Sequence, residues 1–392
     1  MFRFLTAGES HGPALTLIVD GLPAGLDVSI EGINEDLRRR QGGYGRGGRM
    51  AIERDEVKIL GGVRLGRTLG SPIAMLIENR DWPDWAGAMS VTAPATPTSD
   101  AHLRRVRHPR PGHADLAGAL KAGTHDVRDV LERASARETA SRVAAGSLAR
   151  QFLARFGIRI ASHTLAVGSV SMSRDHDMPW EAIASIRADA PLRCCDAAVE
   201  AAMVAEVDRA RAQGDSLGGV FQVVARGVPP GLGSCRLWDT RLEARLGQAL
   251  LSIHAVKAVA IGDGVAAASW FGSEAHDEIF FDVAERRFFR KTNRAGGIEG
   301  GMTNGEEVRA TAWLKPLSTL PRPLHSVDLI DKAEAQATVE RTDTCVVAAA
   351  GVIGEAMAAI VLTEAFLEKF GGDSMAETER NHLGYLRQVQ EF

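Results

Sequence analysis

The chain has 392 residues, with 46 basic against 50 acidic side chains, a formal net charge of −4 and 45% hydrophobic content. This is the composition of a folded chain with a sizeable core, and it argues against both disorder and a general nucleic-acid binder, whose footprint would be basic. Only seven of the 46 basic residues are lysine; codon bias is one account of that total, but it does not explain where the arginines cluster.

Short apolar runs over 2–6 and 14–20 predict two strands, the second leading into the turn GLPAGL. Residues 33–40 predict a helix that ends in the loop QGGYGRGGR, and VKIL and PIAMLIEN predict further strands. Residues 82–113 are rich in Pro, Ala and Arg and predict a long irregular excursion, a kind of loop that carries function or is disordered. Apolar residues at 130, 131, 134, 143, 144, 148, 152 and 153 predict one helix over 129–156. Another amphipathic helix is predicted over 196–213, followed by a strand and turn in GGVFQVVARGVPPGLG. Residues 345–367 are almost wholly apolar, but Glu355 and Glu364 interrupt them. Charge at membrane depth is expensive, so a buried core helix is predicted and no membrane span.

TLIVDGLPAGL (16–26) and QVVARGVPPGL (222–232) align at an offset of 206 residues. Each is a strand, a Gly-x-Pro-x-Gly-Leu turn and then an arginine-bearing helix. Turns reuse Gly and Pro for steric reasons alone, yet the shared order points to two like halves, roughly 1–205 and 206–392, in one domain with one core. The four cysteines show no CxxC pair and no metal-ligand spacing, and the opening apolar run is too short for a signal peptide. A reducing cytoplasm and no metal site are the expectation.

Two arginine clusters carry the chemistry. Arg38, Arg39, Arg40, Arg46 and Arg49 fall within twelve residues without one acid, and HLRRVRHPRPGH carries Arg104, Arg105, Arg107 and Arg110 with three histidines. Guanidinium groups grip carboxylate and phosphate bidentately and stay charged, so the clusters suit a small polyanion. A solvated face is the plainer reading, but it would tolerate interspersed acids and lysines. Gly43-x-Gly45-x-x-Gly48 has the spacing of a dinucleotide fingerprint, but a helix precedes it where a strand is needed. The glycines of AGGIEGGMTNG suit either a backbone cradle for a phosphate or flat ring, or a tight hairpin. Lys315, Ser318 and Thr319 in LKPLSTL form a phosphate-and-hydroxyl pocket without Walker spacing. His11 in GESHG follows a strand, where a catalytic histidine is exposed, although GESHG is not a nucleophile elbow. His113 in RPGHAD lies beside Arg110 and Asp115, placed to act as an acid once a phosphate arrives. Asp343 in ERTDTC reads either as a helix N-cap or as a functional carboxylate.

These stretches resemble the chorismate synthase family. GESHGPALTLIVDGLPAGL (8–26) is similar to its N-terminal signature and ERASARETASRVAAGSL (132–148) to its central one. RRRQGGYGRGGR, RPGHADLAG, GDSLGGV, GLGS, NRAGGIEGGMTNG, KPLST and LEKFGGDS follow the family in collinear order. The chain departs from the family pattern at Ala134, His254, Thr342, Thr344 and Ala348.

The resemblance implies an α/β fold: a β-α-β sandwich with helices between antiparallel sheets and a pseudo-duplicated core, assembled as a homotetramer. It also implies anti 1,4-elimination of phosphate from 5-enolpyruvylshikimate 3-phosphate to give chorismate, with reduced FMN (FMNH2) and no net redox change. NADPH enters only if the protein reduces the flavin itself. Carried over by position, His113 would act on the leaving phosphate and His11 on the N1/C2-oxygen side of the flavin, while Asp343 would serve the ring proton by way of flavin N5. Arg40, Arg46, Arg49, Arg110, Arg137 and Arg341 would grip substrate or NADP anions, with Arg341 also bordering the flavin. Arg133, Ser135, His254, Ala255, Gly300, Lys315, Pro316, Ser318 and Thr319 would line the flavin site. No nucleic-acid or membrane partner is expected. The alternatives are a non-catalytic polyanion- or RNA-binding protein and a flavoprotein with net redox activity.

Overall fold

The computed structural model describes residues 2–48, 53–93, 99, 103–172 and 178–392. Strands β1 (Arg3–Ala7), β2 (Ala14–Asp20), β3 (Val57–Gly61) and β4 (Ile73–Glu78) form an antiparallel sheet in the order β1-β2-β4-β3. Alternation along β2 buries Leu15, Leu17 and Val19 and turns Thr16 and Ile18 outward. Helix α1 (Ile30–Gln41) begins a turn earlier than its apolar spacing suggests, because Ser29 Oγ accepts from Gly32 N as an N-cap.

Helices α2 (Asp115–Ala122), α3 (Arg128–Ala134) and α4 (Thr139–Ala154) follow. The single helix predicted over 129–156 is therefore broken. Ser135 is extended (φ −66, ψ 140) and its Oγ accepts from Arg137 N, starting a short 3-10 turn. No glycine or proline marks that break, so periodicity alone runs straight through it.

The second antiparallel sheet contains β5 (Arg159–Val167), β6 (Gly219–Arg226), β7 (Val256–Ile261) and β8 (Val308–Leu314), in the order β7-β8-β6-β5. Helices α5 (Ala197–Ala212) and α6 (Leu242–Leu251) precede β6 and β7. Asp196 caps α5 by accepting from Ala198 N and Val199 N. Helix α7 (Val347–Phe370) packs on β5 and β6, while α4 packs on β1 and β2, and the two helices lie against each other. The result is the expected sandwich, with helices between antiparallel sheets. One cluster of buried apolar side chains runs from Phe2, just before β1, to Met375 beyond α7.

Two details fix this middle layer. Gly146 of α4 faces α7 so closely that a methyl group there would lie 2.5 Å from Ala356 Cα. Helix α7 has the length and composition of a membrane span but is buried inside the fold. Its Glu355 is fully buried; Arg39 donates to it at 2.8 Å and Ser162 Oγ at 2.7 Å, with Arg150 at 3.3 Å and Arg193 at 3.7 Å. Burial would raise this carboxyl, but the three guanidinium groups outweigh it and bring it down to about 2.

The two Gly-x-Pro-x-Gly-Leu turns are closed by the same device. Thr68 Oγ1 donates to Pro23 O at 2.6 Å and accepts from Leu26 N at 2.9 Å. Thr303 Oγ1 donates to Pro229 O at 2.6 Å and accepts from Leu232 N at 2.9 Å. Gly25 and Gly231 stand at φ +90 and +82, a region that favours glycine, and donate to the carbonyls of the same two threonines.

Candidate active site

A cleft of roughly 450 Å³ opens where the loops at one end of α4 and α7 meet the ends of both sheets. Leu131, Ile253, Val346, Ala349, Ala350 and Ile353 give it an apolar wall. The charged part of the lining is dominated by cations, and the lining comes from chain segments as distant as Ser10 and Asp343.

His11 and His113 both border this cleft, each held by a carboxylate that also binds an arginine. His11 Nδ1 lies 2.9 Å from Glu132 Oε1, and His11 N donates to Glu132 Oε2 at 2.8 Å. Arg128 donates to the same carboxylate at 3.0 Å. The imidazole stacks on Trp85 with centroids 3.8 Å apart, and Arg104 covers that indole at 3.9 Å. Trp85 belongs to the excursion after residue 82, which therefore returns to the site. His113 Nδ1 hydrogen-bonds Asp115 Oδ1, while Arg110 donates to Asp115 at 2.8 Å and to Thr319 Oγ1 at 2.8 Å. Burial raises both carboxyls, but the hydrogen bonds from His113 and Arg110 hold Asp115 far below the carboxylate range, and those from His11 and Arg128 hold Glu132 below it.

The arginines are not the unopposed cage that their acid-free stretches suggest. Arg40 pairs with Asp55 at 3.2 Å and donates to Thr139 Oγ1 and Ala136 O at 2.9 Å. Burial, with Arg137 and Arg46 nearby, lowers its guanidinium to about 10 despite Asp55. Arg137 donates to the same Asp55 at 2.5 Å and to Asn79 Oδ1 at 2.9 Å. Arg46 lies 3.4 Å from Asp343, and Arg341 pairs with Asp81. The acids come from other parts of the chain, which is why local sequence hides them. Asp343 is not an N-cap: α7 begins at Val347 without a side-chain cap, and Asp343 Oδ1 accepts from Gly47 N at 2.6 Å.

Ser135, His254, Ala255, Lys315, Ser318 and Thr319 also border the cleft. Lys315 Nζ donates to Ser318 Oγ at 2.9 Å, and Ser318 Oγ donates to Gly112 O at 2.8 Å, tying the KPLST loop to the loop of His113. Burial lowers the His254 imidazole. Three expected residues are not brought into the lining. Arg133 borders a neighbouring depression and donates to Thr6 O and Gly8 O, although His254 lines both hollows. Pro316 lies in the KPLST loop without lining the cleft. Gly300 sits in the tight hairpin that joins Ile298–Glu299 to Met302–Thr303, outside the lining of this cleft. Arg49 lies outside the described residues. Sequence reasoning passed over Asp55, Glu132, Arg128, Trp85 and Lys257; only Glu132, within the central signature, had a local signal.

A helix-filled sandwich whose cleft gathers arginines around two carboxylate-held histidines has the layout of an enzyme for a small molecule. The comparisons with known proteins give the class its name. A family model described as chorismate synthase matches residues 2–367. The chain is 53% identical over 392 residues to the chorismate synthase of Solibacter usitatus, covering 100% of both chains. It is 54% identical over 388 residues to that of Symbiobacterium thermophilum, covering 99% of each. A solved structure, described as the crystal structure of chorismate synthase, matches with a TM-score of 0.79 at 40% identity, covering 100% of this chain and 99% of that one. The chain belongs to the chorismate synthase family. It is thus a lyase of the shikimate pathway, and neither the RNA-binding alternative nor the redox flavoprotein is favoured.

Proposed function

We propose that the cleft eliminates phosphate from 5-enolpyruvylshikimate 3-phosphate in the anti 1,4 sense, with reduced FMN as cofactor and no net redox change. The observation that carries this reading is the convergence of His11, His113 and Asp343 with Arg40, Arg46, Arg110, Arg137 and Arg341 around one cleft. A substrate with two carboxylates and a phosphate matches guanidinium groups that are already oriented by Asp55, Asp115, Asp81 and Asp343. Such partners hold the forks in place before binding, so less ordering is lost when the anion arrives.

His113 sits in the same network as Arg110, where it donates a proton to, or stabilises, the leaving phosphate. In this reading Asp343 serves the ring proton and His11 is the second acid–base group, which their position at the border of the cleft supports. The residues present fit a phosphate-bearing flat ring: the apolar wall offers a face, while Lys315, Ser318 and Thr319 offer donors beside Ser135, His254 and Ala255. When bound, reduced FMN supplies transient electron density to a ring that is losing phosphate. NADPH belongs to the system only if this chain reduces its own flavin.

The enzyme is read as a cytoplasmic homotetramer without nucleic-acid or membrane partners, a reading supported by its four unpaired cysteines and its outward apolar sheet residues Leu5 and Ile18. It is further read as one domain of two like halves, roughly 1–205 and 206–392, a reading supported by the matching threonine-closed turns. Anaerobic incubation with pre-reduced FMN and substrate should release phosphate and chorismate in equal amounts. No turnover there would refute the reading, and a parallel run with oxidised FMN and NADPH tests for reductase activity.

A further inference from the structure

Strand β7 enters the cleft through an irregular segment. Ala255 holds φ +68, a left-handed conformation uncommon for a residue with a side chain. Immediately after it the register with β8 slips: Val256 pairs with Leu314 but Ala258 pairs with Trp313, so Lys257 is the extra residue of a β-bulge. Successive side chains of a regular strand point to opposite faces. Here Val256 and Lys257 both line the cleft, the re-aiming that a bulge produces. Backbone irregularity of this kind has an energetic cost and gathers at sites that bind ligands.

The bulge places Lys257 beside Lys315, whose backbone N donates to Ala255 O at 2.9 Å. These are two of the seven lysines in the chain. They also differ from the cleft arginines. Arg40, Arg46, Arg110, Arg137 and Arg341 each face a carboxylate. Lys315 contacts only the Ser318 hydroxyl and the Pro316 carbonyl, and Lys257 has no hydrogen bond or ion pair among the described residues. Among the described residues, the positive charge of the cleft that faces no carboxylate is therefore concentrated at this end. Burial and the nearby Lys257 ammonium lower Lys315, as expected for two cations sharing a small space without an anion.

We propose that Lys257 and Lys315 together form a subsite for a phosphomonoester dianion, and that the bulge at Lys257 aims the second ammonium into it. The inference rests on the function proposed above, which brings two such groups to the cleft: the phosphate of the flavin and that of the substrate. Two ammonium groups match a dianion in charge, and the Ser318 hydroxyl beside Lys315 adds a neutral donor.

The test uses the purified full-length chain and its Lys257→Met and Lys257→Arg variants. Oxidised FMN and riboflavin are titrated by flavin fluorescence, and the substrate KM is measured anaerobically with saturating reduced FMN. Losing one charge-assisted hydrogen bond is worth about tenfold in affinity. If the flavin phosphate is the ligand, Lys257→Met binds FMN about tenfold more weakly, riboflavin affinity is unchanged, and Lys257→Arg recovers most of the loss. If the substrate phosphate is the ligand, FMN affinity holds and KM rises by a similar factor. Unchanged FMN affinity with unchanged KM overturns the proposal, as does an equal loss for FMN and riboflavin. Absent wild-type turnover would count against the function and not the subsite, because the FMN–riboflavin contrast needs no reaction.

Discussion

The two histidine units are built from the same three groups and differ in how the chain brings those groups together. At His113, the histidine, Asp115 and Arg110 all lie within six consecutive residues, a loop and the first residue of α2. At His11, the carboxylate of Glu132 comes from a helix 121 residues away, and an aromatic plate, Trp85, is added from a third segment. Carboxylate-held imidazole can therefore be supplied by a local motif or by tertiary packing, and the second route depends on the fold being intact. His113 should tolerate distant packing changes that displace His11.

The largest expected effect comes from deleting the rings. His11→Ala and His113→Ala should each lower turnover by about 10²–10⁴-fold with the folded state retained, as measured by steady-state rates beside circular dichroism. Near-wild-type turnover in either variant would remove that residue's acid–base role and dissolve the parallel between the units.

The carboxylates sharpen the comparison through pH. Both are held below their ordinary range in the folded protein. A depressed folded pKa contributes stability that is fully present above the unfolded value, near 4, and is lost as pH falls through the folded value. Asp115→Asn and Glu132→Gln should accordingly be less stable than wild type at pH 7, with the gap beginning to narrow as pH falls below about 5 and continuing to close toward the folded values. Urea midpoints across that range check the sign; a gap that stays constant would mean that lost packing, not charge, sets the cost. The smallest effect is expected at the aromatic plate. Trp85→Leu removes a stacked pair worth about 0.5–1.5 kcal/mol, so kcat should fall by less than about tenfold. Equal sensitivity of the His113 unit to that change, read from the NMR resonances of its ring, would contradict their separation.

The same contrast explains what was legible in the sequence. RPGHAD shows a histidine, its acid and its arginine side by side, and the strands around Leu15 and Ile73 announce themselves as short apolar runs. Family resemblance covered the layer order and most of the cleft. Asp55 and Trp85 were not legible, because their meaning comes from contacts across tens of residues, and Glu132 showed only its place in the central signature and not its partner His11. The break at Ser135 was hidden for a different reason: an extended residue and a short 3-10 turn interrupt the helix with no glycine or proline to mark them. The composition around Gly300 suited either a cradle or a tight hairpin, and only the backbone pairing shows that a hairpin forms there.

The close approach of Gly146 to Ala356 has a consequence for the aperture of the cleft. Helix α4 carries Thr139 and the Ser135–Arg137 turn at one end, and α7 carries Ala349, Ala350 and Ile353, so opposing walls of the site ride on two rods pinned together at this crossing. The missing methyl acts as a spacer of zero thickness. Adding it would wedge the rods apart and widen the mouth of the cleft, so the gauge of the catalytic gap is set by a residue that no ligand touches.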